Sequence, residues 1–249
     1  MDRNGLTGPI LVTESKLYEP QAAVVGQKLG TLGFDKFGNR YRLCKNGSVA
    51  LVTAHLLQES VEDAQFVSMA VPAAVAVGAT EITVTNGTTA VTANMFVGGR
   101  LTISTSTGIG QSFYILKHTT GASGAAITYT IDRPLLIALT TSSKVSTRVN
   151  PYNGVIEYPV TTQTGAPVGF ALTAVPAGYY FWSQTGGDTP VLFDTATNTS
   201  NGATAIAPSA AVAGSVAPVL DAVGALVIGM SRQVASVDST VSIAHIMID

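Results

Sequence analysis

The groups in this 249-residue chain that could do acid–base, nucleophilic or metal chemistry are three histidines, one cysteine and fifteen carboxylates. Their spacing does not gather them. His55, His118 and His245 lie far apart, with no second ligand at the offsets a zinc site uses. His245 falls in an apolar, strand-like run, where a histidine satisfied in a core or cavity is the commoner outcome than a ligand. Cys44 stands alone, so no disulfide can form within the chain. In its alternating run it reads as a small buried apolar residue, and no neighbouring base marks it as a nucleophile. Gly108-Ile109-Gly110 lacks the third glycine and the following helix of a dinucleotide site, and neither a phosphate-cradling Gly-Lys-Ser/Thr loop nor a Gly-x-Ser-x-Gly elbow occurs. Paired carboxylates for glycoside hydrolysis leave no spacing signature. Asp35, Asp188, Asp194 and Asp238 sit beside turn sequences, and solvated turn residues account for them. The sequence therefore assigns no catalytic, cofactor-binding or metal-binding residue, and the expectation is a protein that is not an enzyme.

What must be positioned is then a surface, and composition describes it. Hydrophobic residues make up 46% of the chain and charged residues only 11%, against about 25% charged in an average domain. Thr, Ser, Ala and Gly fill the gap. A neutral, hydroxyl-rich surface suits a protein packed against copies or neighbours, although many secreted β-proteins share it. The net charge is −2, so no nucleic-acid partner is expected. Arg40, Arg42 and Lys45 form the one tight basic cluster and read as a solvated strand edge or a subunit contact. The N-terminal MDRNGLTGP has neither the apolar core nor the cleavage pattern of a signal peptide. Residues 210–230 are apolar enough to consider as a membrane span, but Pro218, Asp221 and the glycines among them favour a loop followed by a buried strand. No membrane partner is expected.

The elements read as strands. In residues 100–104, Leu101 and Ile103 share one face. Gly108-Ile109-Gly110 suits a tight reversal. In residues 112–117, Phe113 and Ile115 lie on one face and Tyr114 and Leu116 on the other, which predicts a strand covered on both sides. Ile127, Tyr129 and Ile131 alternate next, so this region predicts a meander. Upstream, residues 34–39 are turn-like, and Asn46-Gly47 predicts a hairpin joining residues 40–44 to 48–53. Residues 54–65 predict a short helix with Leu56, Leu57 and Val61 on its apolar side. Ile82 and Val84 mark a strand ended by Asn86-Gly87. Downstream, Val168, Phe170 and Leu172 alternate, residues 195–208 read as a surface loop, and residues 226–231 and 240–248 as closing strands. The fold class is all-β: two β-barrel or β-sandwich-like domains, residues 34–150 and 151–249, preceded by an extended N-terminal arm, residues 1–33. Such an arm either lies on a neighbouring subunit or folds onto its own domain.

The run Tyr179-Tyr180-Phe181-Trp182 has two readings. Exposed, it would stack on sugar rings. Folded in, alternation puts Tyr179 and Phe181 on one face and Tyr180 and Trp182 on the other, filling a core and a contact; the second reading is favoured.

The order VGGRLTIS, GIGQSFYILKH, IDRPLLIALTTSSKV and NPYNGV, followed by PAGYYFWSQTGG and LVIGM, resembles the structural proteins of tailed-bacteriophage particles. It is most similar to the capsid decoration, or head cement, proteins. The similarity spans the chain from about residue 33 onward and lies in the order of short patterns. It implies a non-enzymatic all-β protein without a cofactor, made in the host cytoplasm. Such a protein binds the major capsid protein on the outer surface of the virion, commonly as a homotrimer. The alternative is a head- or tail-fibre component that binds a host-surface glycan through Tyr180 and Trp182. A glycan-active hydrolase or esterase is a third class, which would need a cleft with convergent ionisable groups.

Overall fold

The structure, a computed structural model, describes residues 8–24, 26–160, 163–195, 200–219, 225–235 and 237–249. It is nearly all β, with 43% strand and 4% helix. Its described residues divide into two compact units: 62–150, and 8–61 together with 151–249. The second unit opens with β1 (Ile10–Leu11), α1 (Glu14–Tyr18), β2 (Leu32–Phe34), β3 (Arg40–Asn46) and β4 (Leu56–Gln58). The first unit interrupts it with β5 (Met69–Ala70), β6 (Glu81–Thr85), β7 (Arg100–Thr105), β8 (Ser112–His118), β9 (Ala126–Ile131) and β10 (Lys144–Arg148). The second unit resumes with β11 (Asn153–Glu157), β12 (Pro167–Ala171), β13 (Tyr180–Phe193), β14 (Ser200–Asn201) and β15 (Ala205–Pro208). It ends with β16 (Val216–Pro218), β17 (Gly229–Ser231), β18 (Val234–Ala235) and β19 (Thr240–Met247).

The first unit is a closed barrel of β10-β5-β6-β9-β8-β7, antiparallel throughout. The period-2 pattern fills it: Ile82, Val84, Leu101, Ile103, Phe113, Ile115, Ile127, Tyr129 and Ile131 all point inward and are buried. β7, β8 and β9 form the expected meander. Gly108 and Gly110 sit in the β7–β8 turn at φ +86° and +87°, a region L-residues rarely adopt. β8 is not covered on both sides, as its sequence predicts: Tyr114 is exposed on the outer wall, where the Arg100 guanidinium stacks 4.3 Å from its ring centre. The chain enters along β5 and leaves along β10, so both connections lie at one end of the barrel, and the loops at 75–79, 106–111 and 132–139 gather at the other.

In the second unit the pairings close on themselves twice, and the 14-residue strand β13 belongs to both closures. Its first half joins β3-β11-β4-β12-β13 and back to β3. Its second half joins β13-β16-β15-β17-β19 and back to β13. Each ring holds its own core, Cys44, Leu57, Val155 and Phe181 in one and Phe170, Val191, Phe193, Ile206 and Ile246 in the other. Between its halves β13 carries a register shift at Gln184/Gly186, the local extra twist a bulge supplies.

Three expectations change here, and the two placements left open for the N-terminal arm are decided. Residues 34–61 pair with the C-terminal segment and not with the barrel, and the two units divide at Val61/Glu62 and at Asn150/Pro151. The N-terminal segment, from residue 8, lies on its own unit: β1 pairs with β2, and Val12 and Leu17 are buried against Tyr41, Leu43 and Trp182. Gly33 permits this approach, because a Cβ there would come within 2.8 Å of the Trp182 ring. Residues 1–7 of the expected arm lie outside the described residues. The predicted helix at 54–65 is instead β4 followed by a single 3-10 turn, Ala64–Phe66. In β4, Leu56 faces one ring core and Leu57 the other. In residues 195–208, β14 and β15 occur where a loop is predicted, with Ile206 fully buried; residues 196–199 lie outside the described residues, as does Asp221.

Asn46-Gly47 makes a corner in place of the predicted hairpin. The Asn46 side-chain amide donates to the carbonyls of Val49, Val175 and Pro176. The Gly178 N–H donates to the Gly47 carbonyl. Asn86-Gly87 in the barrel repeats the device: the Asn86 amide donates to Thr89 and Ala122, and the Gly124 N–H to Gly87.

Candidate interaction surfaces

The fold scatters the groups that could carry chemistry. His118 is buried in the barrel, its Nε2 accepting the Phe96 N–H at 3.1 Å and its Nδ1 facing the Thr119 carbonyl at 2.9 Å. One nitrogen accepts and the other donates, so this is a neutral structural imidazole. His55 Nδ1 lies 3.0 Å from a Glu157 oxygen but off the line of a hydrogen bond. Cys44 is fully buried, as expected, and burial pushes its thiol pKa far up. No group of three His, Cys, Asp or Glu side chains among the described residues could hold a metal ion.

His245 is not a core histidine. It sits on the open face of β19, with Nδ1 2.7 Å from Asp188 Oδ1, and Arg232 Nε reaches the same oxygen at 3.3 Å. The His245 hydrogen bond chiefly, with Arg232 assisting against a small burial effect, lowers the Asp188 pKa. Asp188 is therefore a strand residue with two partners and not a free turn residue. Asp194 likewise is buried and accepts from the Ser209 hydroxyl. Asp35 keeps the expected turn, accepting the Phe37 and Asn39 N–H groups.

Around that trio the register lays out a grid. Arg40, Gly186 and Met247 form one row across β3, β13 and β19. Asp188, His245 and Met230 form the next, across β13, β19 and β17. Pro190 and Ile243, then Leu192 and Val241, continue it. The Arg40 guanidinium lies over Gly186, where a Cβ would meet its Nε at 2.5 Å. Val241, Ile243 and Met247 point outward while Ala244 and Ile246 point into the core, so β19 is apolar on both faces, the pattern of a strand covered on both sides. Beside this face Arg42 is held by Asp249 and by the Gly30 carbonyl, while Lys45 stacks on Tyr180 on the opposite face, in the cluster under the N-terminal segment. β3 is paired on both sides, so the basic cluster does not lie on a sheet edge.

A second surface is the end of the barrel away from its chain connections. Val77, Ile109, Leu136 and Ile137 stand exposed on three adjoining loops, Leu136 at 74%. These loops are fixed. The Gln111 side chain accepts the Leu136 and Ile137 N–H groups and donates to the Ile137 carbonyl. The Gly78 N–H donates to the Leu135 carbonyl. The sequence carried a signal in IDRPLLIAL, three large aliphatics after a proline, that alternation alone did not flag.

No family model matches this chain, and no curated protein or solved structure matches it either.

The aromatic run divides as alternation predicts, Phe181 with Tyr179 in one core and Trp182 with Tyr180 in the cluster under the N-terminal segment. Trp182 is only 5% exposed, so it offers no open platform for a sugar ring. A cavity of about 100 Å³ adjoins it, lined by Lys16, Glu19, Gln21, Gln27 and Tyr180, room for a few waters.

Proposed function

We propose that this chain is a non-enzymatic structural protein of a tailed-bacteriophage particle, a capsid decoration protein that binds the outside of the head lattice and stabilises the shell. Its partners in this reading are the major capsid protein and copies of itself, as a homotrimer. The observation that carries the reading is the barrel end: four large aliphatic side chains held in the open by hydrogen-bonded loops. Keeping such groups exposed is unfavourable unless a partner covers them, and fixing the loops beforehand lowers the entropy lost on docking. The order of short motifs that resembles cement proteins, the low charge and the all-β architecture support it.

The mechanism is linkage. A protein that binds the assembled shell and not the loose subunits stabilises assembly by mass action, and many copies sum modest contacts into a large effect. Binding of the Leu136→Asp variant to purified heads stripped of this protein tests it. Because Leu136 is exposed, the variant should keep the wild-type melting temperature yet bind at least about tenfold more weakly. Undiminished binding by the folded variant removes the barrel end from the account.

The glycan-binding alternative rested on Tyr180 and Trp182; Trp182 is buried with Val12 and Leu17, which leaves the half-buried Tyr180 as its one platform.

A further inference from the structure

We infer that β17 and β19 carry a site for a soft monovalent metal ion, copper(I) or silver(I), with His245 Nε2, Met230 Sδ and Met247 Sδ as its ligands. The inference goes beyond the function proposed above and does not depend on it. It starts from the histidine. His245 stands between Asp188 on β13 and Met230 on β17, and its Nδ1 lies 2.7 Å from Asp188 Oδ1. A carboxylate accepts, so Nδ1 carries the hydrogen of this bond, and in the uncharged ring Nε2 keeps the lone pair. Nε2 faces away from Asp188, toward the β17 side. Among the described residues it has no hydrogen-bond partner. A carboxylate that fixes one imidazole nitrogen while the other faces a metal is the usual outer-shell arrangement of a histidine ligand.

The register brings the sulfurs. Met230 is the direct cross-strand partner of His245, and Met247 follows two residues on along the same outward face of β19. Opposed side chains have Cβ atoms about 5 Å apart, and alternate residues of one strand lie about 7 Å apart. The three rotatable bonds of methionine let a thioether span such gaps, and both methionines are exposed to solvent. The donor set then selects the ion. Two thioethers and an imidazole are uncharged, and thioethers favour soft ions such as copper(I). Magnesium and calcium require oxygen ligands. The one carboxylate here is already shared by His245 and Arg232, and the Arg232 guanidinium disfavours a doubly charged ion. The expectation that no residue binds a metal was built on histidine and cysteine spacing, to which a thioether supplied by strand register is invisible.

Silver(I), which is redox-inert, is titrated into the full chain in chloride-free buffer and followed by nuclear magnetic resonance of the methionine methyl and histidine ring signals. The Met230, Met247 and His245 Nε2 signals should shift together and saturate at about one equivalent. Met69 and Met95, packed in the barrel core, should not shift. Met230→Leu, Met247→Leu and His245→Ala should each weaken binding at least about tenfold while keeping the wild-type melting temperature. Cys44→Ala, which removes the one thiol, should bind as the wild type does. Zinc(II) should leave the three signals in place. Silver(I) that shifts none of the three groups overturns the inference. So does binding that survives the three substitutions, binding that is lost with Cys44, or zinc(II) held as tightly as silver(I).

Discussion

Cys44 and Asp249 show how single residues here take their chemistry from position. Cys44 lies on the core side of β3, and burial alone raises its thiol pKa, keeping it protonated and out of reach. Iodoacetamide should leave it unlabelled in the native protein and modify it on unfolding in urea; rapid native labelling would contradict the burial. Asp249 is the opposite case. The Arg42 hydrogen bond, acting against partial burial, holds its carboxyl below the ordinary 3.8. A group whose folded pKa is depressed stabilises the fold above its unfolded pKa and loses that contribution as pH falls through the folded value. Wild type should therefore exceed Asp249→Asn in stability at neutral pH, and urea denaturation curves of the two should converge below about pH 3. A gap unchanged in acid would place the effect elsewhere. Cys44's burial was legible in the sequence because it sits in an alternating run. The trio of His245, Asp188 and Arg232 was not, because its members are brought together only by the β13–β19 register.

At the scale of elements, alternation identified the barrel strands because each has one wet and one dry face. It misled where a strand is dry on both. Leu56 and Leu57 are adjacent and both buried because β4 stands between two cores, and adjacent leucines mimic a helix face. Asn46-Gly47 misled for a different reason. An Asn-Gly pair announces a reversal, but here the Asn amide reaches carbonyls 129 and 130 residues away, which nothing local encodes. Asn46→Ala would leave the Val49, Val175 and Pro176 carbonyls without that donor and should cost about 2–3 kcal/mol in chemical denaturation. Asn86→Ala, at the same device in the barrel, should cost about 1–3 kcal/mol. A loss under about 0.5 kcal/mol at both sites would show that the corners hold without their amides.

For the whole molecule, the all-β class could be read from the chain. The insertion of the barrel between residues 61 and 151 could not, since alternation names faces, never partners. The N-terminal segment illustrates the consequence. The sequence left two placements open for it, a neighbouring subunit or its own domain, and the burial of Val12 and Leu17 against Trp182 and Leu43 selects the second. Removing residues 8–21 would therefore open a core. The barrel end and the open face of β19 are two surfaces open to partners. The decoration reading asks both to work in many copies at once.

Copy number per purified particle, by quantitative mass spectrometry against the major shell protein, tests that reading most directly. Decoration predicts copies on the order of hundreds, in fixed ratio to the shell protein, as a contact repeated over a lattice requires. A handful of copies per particle, or none, would contradict it.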